Sequence, residues 1–365
     1  MIELRKLWTV IAGILIRSSR GCCAGRSLSI NVNSESPTAY IPYETHDDQG
    51  EFGQRSRTRW RVLGHPWHTA HNYELLKLPV SWFYLPGDWH RHFRPLPGGV
   101  EWLDWDFDAN DFDLIITHIS HEGHSYFDRL VALKDKLPII AIMHGVPDGP
   151  TMVSQFQDLV QDVHVVCNSY EQERMWNFAY STTIIHGFDA AEWPATDYSA
   201  RRAVTSLPGI DEDYPHFGRN YGIHLLKQVR ERVPVTWIRR DIRFKNWTDY
   251  RNYLAQSCVY FNPTLASPMP RARGEAMMMG LVPVTTNNMG EWRFIEQGVN
   301  GFLVDNAEDA SRIIAWLLDH PLECKLIGSR ARFTALRRFD WQRWAEDWLR
   351  CIEEVTRRWR ASHAK

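Results

Sequence analysis

From residue 59 onward, short apolar runs of strand length alternate with longer segments of helical period, and this alternation limits the chain to a narrow set of folds. Strands are expected over 59–64, 80–85, 113–118, 138–143, 164–167 and 183–186. Helices are expected between them over 69–78, 126–137, 152–161 and 171–179. Consecutive strands separated by helices pair in parallel through right-handed crossovers, so the pattern predicts an α/β fold with a doubly wound parallel sheet. A second set repeats it, with strands at 203–206, 233–238, 258–262, 282–286 and 302–304 and helices at 223–232, 247–256, 274–279 and 307–318. The predicted organisation is an extension over 1–58, a first domain over 59–190, a linker over 191–202 and a second domain over 203–340. A last helix over 341–365 is expected to pack back on the first domain. Its Trp341, Trp344, Trp348, Ile352, Val355 and Trp359 recur at spacings of three and four, which makes one apolar packing face.

A length of 365 residues suits two domains, each able to bury its own core. With a formal net charge of −2, nothing draws the whole molecule to nucleic acid or to an anionic membrane. Any phosphate site is therefore local, nucleic acid is excluded as a partner, and membrane association is at most peripheral. The six cysteines are scattered, with only Cys22 and Cys23 adjacent, which favours a reduced, cytoplasmic setting. Arg5, Lys6 and the apolar run 7–16 have the outline of a signal peptide. The run is far short of the roughly 20 residues of a spanning helix, and Arg17 and Arg20 stand where a cleavage region would be small and neutral. The reading is a poorly ordered extension or an early start codon, in a cytoplasmic protein whose only membrane contact would be the inner face.

In open α/β sheets ligands bind beyond the carboxyl ends of the strands. After the strand 258–262 comes a loop with Pro263, Pro268 and Pro270, opening onto the helix 274–279. A helix amino end offers unpaired N–H groups and partial positive charge, which suits a diphosphate, and Arg271 and Arg273 could grip phosphate in a fork. Glu275 is expected in the first helical turn. There it either complements the helix dipole or accepts hydrogen bonds from two ribose hydroxyls.

The segment Glu275-Ala-Met-Met-Met-Gly280-Leu-Val-Pro283-Val-Thr-Thr resembles the part of group 1 retaining glycosyltransferases that begins at the second Glu of their Glu-x7-Glu motif. Phe294-Ile-Glu296-Gln-Gly298-Val-Asn-Gly301-Phe-Leu-Val304 is similar to the glycine-turn strand that follows there, and His144-Gly145 and Ile185-His-Gly-Phe-Asp189 look like its first-domain landmarks. The resemblance implies two Rossmann-like domains facing across a cleft, the GT-B type. It also implies transfer of a sugar from a nucleotide-diphosphate donor to an acceptor hydroxyl of a glycan or lipid-linked molecule, with retention at the anomeric carbon. No cofactor beyond the donor and no metal is implied. Gly274 joins Arg271 and Arg273 in the implied diphosphate grip, with Arg219 as the counterpart of an early phosphate-holding Arg. His144 is implied to approach the donor sugar or reacting centre; as a plain residue it is equally a turn histidine. The family's first Glu falls at Ser267, and Pro268-Met-Pro-Arg-Ala-Arg replaces its glycine-rich loop, so the usual sugar contact is altered. Three further readings remain: a sugar-nucleotide epimerase on the same architecture, a non-catalytic glycan- or partner-binding relative, and, from the N-terminus alone, a secreted lipid-anchored binding protein processed near Cys22.

His65-Pro-Trp-His68-Thr-Ala-His71 and His118-Ile-Ser-His121-Glu-Gly-His124 both follow strands. Their spacing of three, with no cysteine nearby, argues against zinc, whose helical pairs stand four apart. They are structural histidines or they bind sugar hydroxyls, and His68 and His121 are the better placed for the second role.

Overall fold

A computed structural model describes residues 59–87, 94–120, 125–206, 220–238 and 244–364. The extension 1–58, His121 and Arg219 lie outside them.

The described residues from Arg59 onward carry two wholly parallel sheets. The first has seven strands: β1 (Arg61–Gly64), β2 (Ser81–Tyr84), β3 (Val100–Trp102), β4 (Leu114–Ser120), β5 (Ile139–His144), β6 (His164–Cys167) and β7 (Ser181–Thr183), in the order β3-β2-β1-β4-β5-β6-β7. The order reverses between β1 and β4, which pair with each other. Strand β4 is buried along its whole length, as a central strand covered on both faces must be. The second sheet holds β8 (Ala203–Ser206), β9 (Val235–Ile238), β10 (Val259–Asn262), β11 (Val282–Thr286) and β12 (Phe302–Val304) in the order β12-β11-β10-β8-β9, reversing between β8 and β10. Each reversal is a topological switch point, where the carboxyl ends of the strands diverge and leave a crevice. The histidine-rich segment after β1 and the proline-arginine loop after β10 both start there.

Helices flank the sheets. Those that bear on the site are α1 (Thr69–Leu75), α2 (Ser125–Leu130), α3 (Pro150–Leu159), α4 (Tyr170–Trp176), α5 (Ile223–Arg230), α6 (Trp247–Ala255) and α7 (Arg271–Met279). They are followed by α8 (Ala307–Asp319), α9 (Pro321–Arg338) and α10 (Trp341–His363). On α10, Trp344, Trp348, Ile352 and Val355 are buried. The helix lies on the first lobe: Arg343 donates to the Ile185 carbonyl at 2.9 Å and the Trp359 indole to that of Lys134 at 2.8 Å. No described helix is long and apolar enough to cross a membrane.

The structure departs from the sequence reading at several elements. The edge strand β3, mostly exposed and only three residues long, lacks the apolar run that marks a strand. Strand β7 ends at Thr183, where 183–186 was expected. The helix α9 was not anticipated. Residues 191–202, read as a linker, pack on the second lobe: Trp193 is buried, Thr196 N donates to Met279 O at 2.7 Å, and the Tyr198 hydroxyl donates to Gly280 O at 2.5 Å.

Candidate active site

The first-lobe wall is built of imidazoles. Because β1, β4 and β5 are adjacent, their carboxyl ends bring His65, His68, His118 and His144 together, while α1 adds His71 and the segment after β7 adds His186. The His68 and His144 rings stack with centroids 4.8 Å apart and 7° between planes, and Trp67 lies 4.8 Å from His144. These three are the least buried; His65, His71, His118 and His186 are enclosed. His65 lies flat on Tyr126 at 4.2 Å. His71 is edge-on to His186 at 5.3 Å and to Trp344 and Trp348 of α10, and neither of its ring nitrogens has a hydrogen-bond partner.

Burial disfavours the charged imidazolium throughout the cluster. Desolvation lowers His65 to about 3 and His68 to about 4. The same cause holds His71, His118, His144 and His186 well below the ordinary value, with neighbouring imidazoles and Arg271 as lesser contributions. At neutral pH the wall is uncharged. Among the described residues no group of three or more His, Cys, Asp or Glu is arranged to hold a metal ion.

The second-lobe wall is the amino end of α7. The helix begins at Arg271, after Pro270, and no side chain caps it. Glu275 therefore lies in the second turn, not the first, and the dipole reading of its carboxylate loses its basis. Glu275 is 1% exposed, and two residues hold its carboxylate. Arg94 of the first lobe donates Nη2 at 2.5 Å and the Tyr250 hydroxyl of α6 donates at 3.1 Å. The Arg94 guanidinium rests over the Trp247 ring, 4.1 Å from its centroid.

The remaining second-lobe residues separate into different tasks. Arg271 is 8% exposed, with its guanidinium 3.6 Å from Glu74 Oε1 and over the Phe188 ring at 4.6 Å. None of its Nε, Nη1 and Nη2 has a hydrogen-bond partner. Burial lowers it to about 10, which leaves it a cation at neutral pH. Arg273, expected in the phosphate grip, is turned away into the core. It is 0% exposed, 3.1 Å from Glu291, donates to the sulphurs of Met269 and Met277, and lies between the Phe294 and Phe339 rings. Gly274 is also removed from the grip, because its N–H donates to Pro270 O at 3.4 Å. Its missing side chain makes room for Phe188, whose Cε2 would stand 2.6 Å from an added Cβ. Gly274→Ala is expected to cost about 1–3 kcal/mol in chemical denaturation, the overpacking penalty exceeding the helix-propensity gain; an unchanged or higher midpoint would refute the close contact.

Ser267 is half-buried, and its backbone is clamped to Asn288, which accepts from Ser267 N at 3.0 Å and donates to Ser267 O at 2.7 Å. That clamp ties the loop after β10 to the segment after β11. Asn72, Trp247 and Tyr250 gave no sequence signal for the site, since they reach His118, Arg94 and Glu275 across 25 residues or more or between lobes; Arg94 stood out only as the end of an aromatic loop over 88–94 that suits sugar rings or buries its own aromatics.

Three comparisons bear on this arrangement. Residues 218–320 match a family model described as "Glycosyl transferases group 1". Spore coat protein SA of Bacillus subtilis (strain 168) is 33% identical over 169 residues, which are 41% of this chain and 44% of that relative. The chain thus spans under half the length of this curated relative. Among solved structures, Anabaena Alr3699/HepE in complex with UDP-glucose superposes with a TM-score of 0.61 at 14% identity, covering 81% of this chain and 100% of that one. Sucrose-phosphate synthase from Thermosynechococcus elongatus gives 0.61 at 11% identity, covering 81% and 99%. A glycosyltransferase from Rickettsia africae gives 0.59 at 13%, covering 82% and 99%. The two parallel-sheet lobes are the GT-B fold.

Proposed function

We propose that this protein, a GT-B fold carrying a group 1 glycosyltransferase domain over residues 218–320, transfers a sugar from a nucleotide-diphosphate donor to an acceptor hydroxyl with retention at the anomeric carbon. The observation that carries this reading is Arg271, a buried cation at an uncapped helix amino end whose three guanidinium nitrogens make no hydrogen bond. A buried charge lacking hydrogen bonds is costly, and a diphosphate supplies the acceptors and adds negative charge to that of Glu74. Negative charge builds on that diphosphate as the glycosidic bond breaks, so a donor set fixed there stabilises the transition state. Glu275 takes the ribose hydroxyls, exchanging Arg94 for them. His144, with Ser267 opposite, meets the donor sugar, and His68 lies beside it toward the acceptor. The acceptor is a glycan or lipid-linked hydroxyl compound, and the setting is cytoplasmic.

A thermal-shift series with nucleoside diphosphates and their sugars, on wild type and Glu275→Gln, tests the reading. Binding is expected in wild type and about tenfold weaker in the variant, the loss of a charge-assisted hydrogen bond. Wild type that binds no nucleoside diphosphate would remove the proposal. Turnover of the sugar nucleotide with no acceptor present would favour an epimerase instead.

A further inference from the structure

One line of hydrogen bonds through the histidine wall has a defined direction. Asn72 Nδ2 donates to the carbonyl of His65 at 3.1 Å, so its Oδ1 is the atom 2.8 Å from His118 Nε2. A ring nitrogen facing an amide oxygen carries the proton. His118 is enclosed and neutral, so its Nδ1 bears a lone pair, and this accepts from His144 Nε2 at 2.9 Å. His144 is in turn the Nε2–H tautomer, with the lone pair on Nδ1. Such a relay fixes ring orientation as well as tautomer.

We propose that Asn72 and His118 are positioning residues for the donor sugar: they hold His144 with an unprotonated Nδ1, which accepts a hydrogen bond from a sugar hydroxyl and discriminates against a carboxylate or keto oxygen at the same place. This rests on the assignment of His144 to the sugar made above. The groups around His144 reinforce it. His68 before α1 stacks on the ring, His71 of α1 is 5.7 Å away, and His65 after β1 and His118 of β4 complete the first-lobe side. From α7, Arg271 acts on His68, His71 and His186, while the carboxylate of Glu275 bears on His68 against Arg94 and Arg271. Burial, with His68 and His65 as lesser contributions, disfavours a second proton on His144, and an imidazole without that proton can only accept through Nδ1. A carbonyl or carboxylate oxygen also only accepts, so two lone pairs would face each other; a site built to pair with one polar group rejects ligands that leave it unpaired.

The test is an imidazole 15N–1H correlation spectrum of the full chain with 15N-histidine, without ligand, at pH 7.5, together with transfer kinetics. His144 is expected as Nε2–H in wild type. Asn72→Asp puts a carboxylate beside His118, makes it a donor at both nitrogens and forces His144 to Nδ1–H. The kcat/KM for transfer should then fall about tenfold, one hydrogen bond's worth, with nucleoside diphosphate affinity unchanged. His118→Asn, whose Oδ1 stands near the original Nδ1, keeps the wild-type tautomer and most of the rate, whereas His118→Leu loses both. These two carry the test should Asn72→Asp not fold. A wild-type His144 in the Nδ1–H form, or a tautomer indifferent to both Asn72→Asp and His118→Leu, would overturn the proposal. The spectrum needs no substrate, so it decides the positioning separately from the nucleotide-binding result.

Discussion

Arg271→Ala is expected to weaken nucleoside diphosphate binding about a hundredfold and to change binding of the bare nucleoside only a fewfold. The guanidinium has three nitrogens without hydrogen bonds and its charge is buried, so a phosphate gains charge-assisted bonds in a poorly hydrated place, at about 1.5–3 kcal/mol each. Removing Arg271 leaves Glu74 held by Lys77 at 2.9 Å, so the fold keeps that carboxylate paired. Arg271→Lys keeps the charge and loses the fork, and should fall between alanine and wild type. Calorimetric titration with nucleoside and nucleoside diphosphate separates the outcomes. Equal losses for the two ligands would mean that Arg271 supports the pocket without touching phosphate. The same titration on Arg273→Met should show little change in diphosphate preference, because Arg273 faces Glu291 and the core; the cost there is stability.

Acid should unfold this protein early and steeply. His65, His71, His118 and His186 are enclosed, and burial lowers all four below their unfolded value. For a histidine with a depressed folded pKa, the unfolded chain binds the proton first. Stability is therefore full above about pH 6.5 and declines as pH falls below it. Each such histidine contributes a slope of about 1.4 kcal/mol per pH unit until its folded value is reached. Four together approach 5–6 kcal/mol per unit, comparable with the whole stability of an ordinary domain. Urea titrations between pH 8 and pH 5 should show the midpoint level at the alkaline end and collapsing below about pH 6. A midpoint that stays level to pH 5 would show that the wall hydrates or charges without unfolding. His71→Phe, which fills an enclosed site whose ring nitrogens make no hydrogen bond, should reduce the slope by about 1.4 kcal/mol per pH unit.

The alternation of strands and helices was enough to read both sheets, because parallel strands buried on two faces are written as continuous apolar runs. What escaped shows where that reading stops. Helix α9 buries Cys324, Gly328, Ala331 and Ala335 at spacings of three and four, while Leu322, Leu326 and Phe333 are exposed. Apart from Ile327, the buried face is made of small residues, because α9 approaches the end of α7 so closely that a Cβ on Gly328 would stand 2.1 Å from Gly280 O. A pattern weighted toward large apolar residues points to the wrong face. The start of α7 was misplaced by taking Gly274 as its opening; Pro270 precedes the first turn, which is Arg271-Ala-Arg. The positions of Arg271, Glu275 and His144 near the carboxyl ends of strands were legible in the sequence. Their division of labour was not, since Arg273 differs from Arg271 only in the direction one turn of helix gives it. Asn72 carries no local signature at all.

The chain passes between the lobes twice, and the two passages touch. Phe188 N donates to Phe339 O at 2.8 Å, and Phe188 bridges Asp340 in parallel, where α10 sets out to return to the first lobe. The fold is thus pinned at a two-ply strap rather than tethered by a single connection. A single tether allows twist and separation in any direction; a doubled one leaves rotation about the strap as the soft coordinate. Arg94 with Glu275 and Arg271 with Glu74 meet across the crevice. Any rotation about the strap that opens the crevice must part both pairs, so the strap and the two ion pairs bound the same movement.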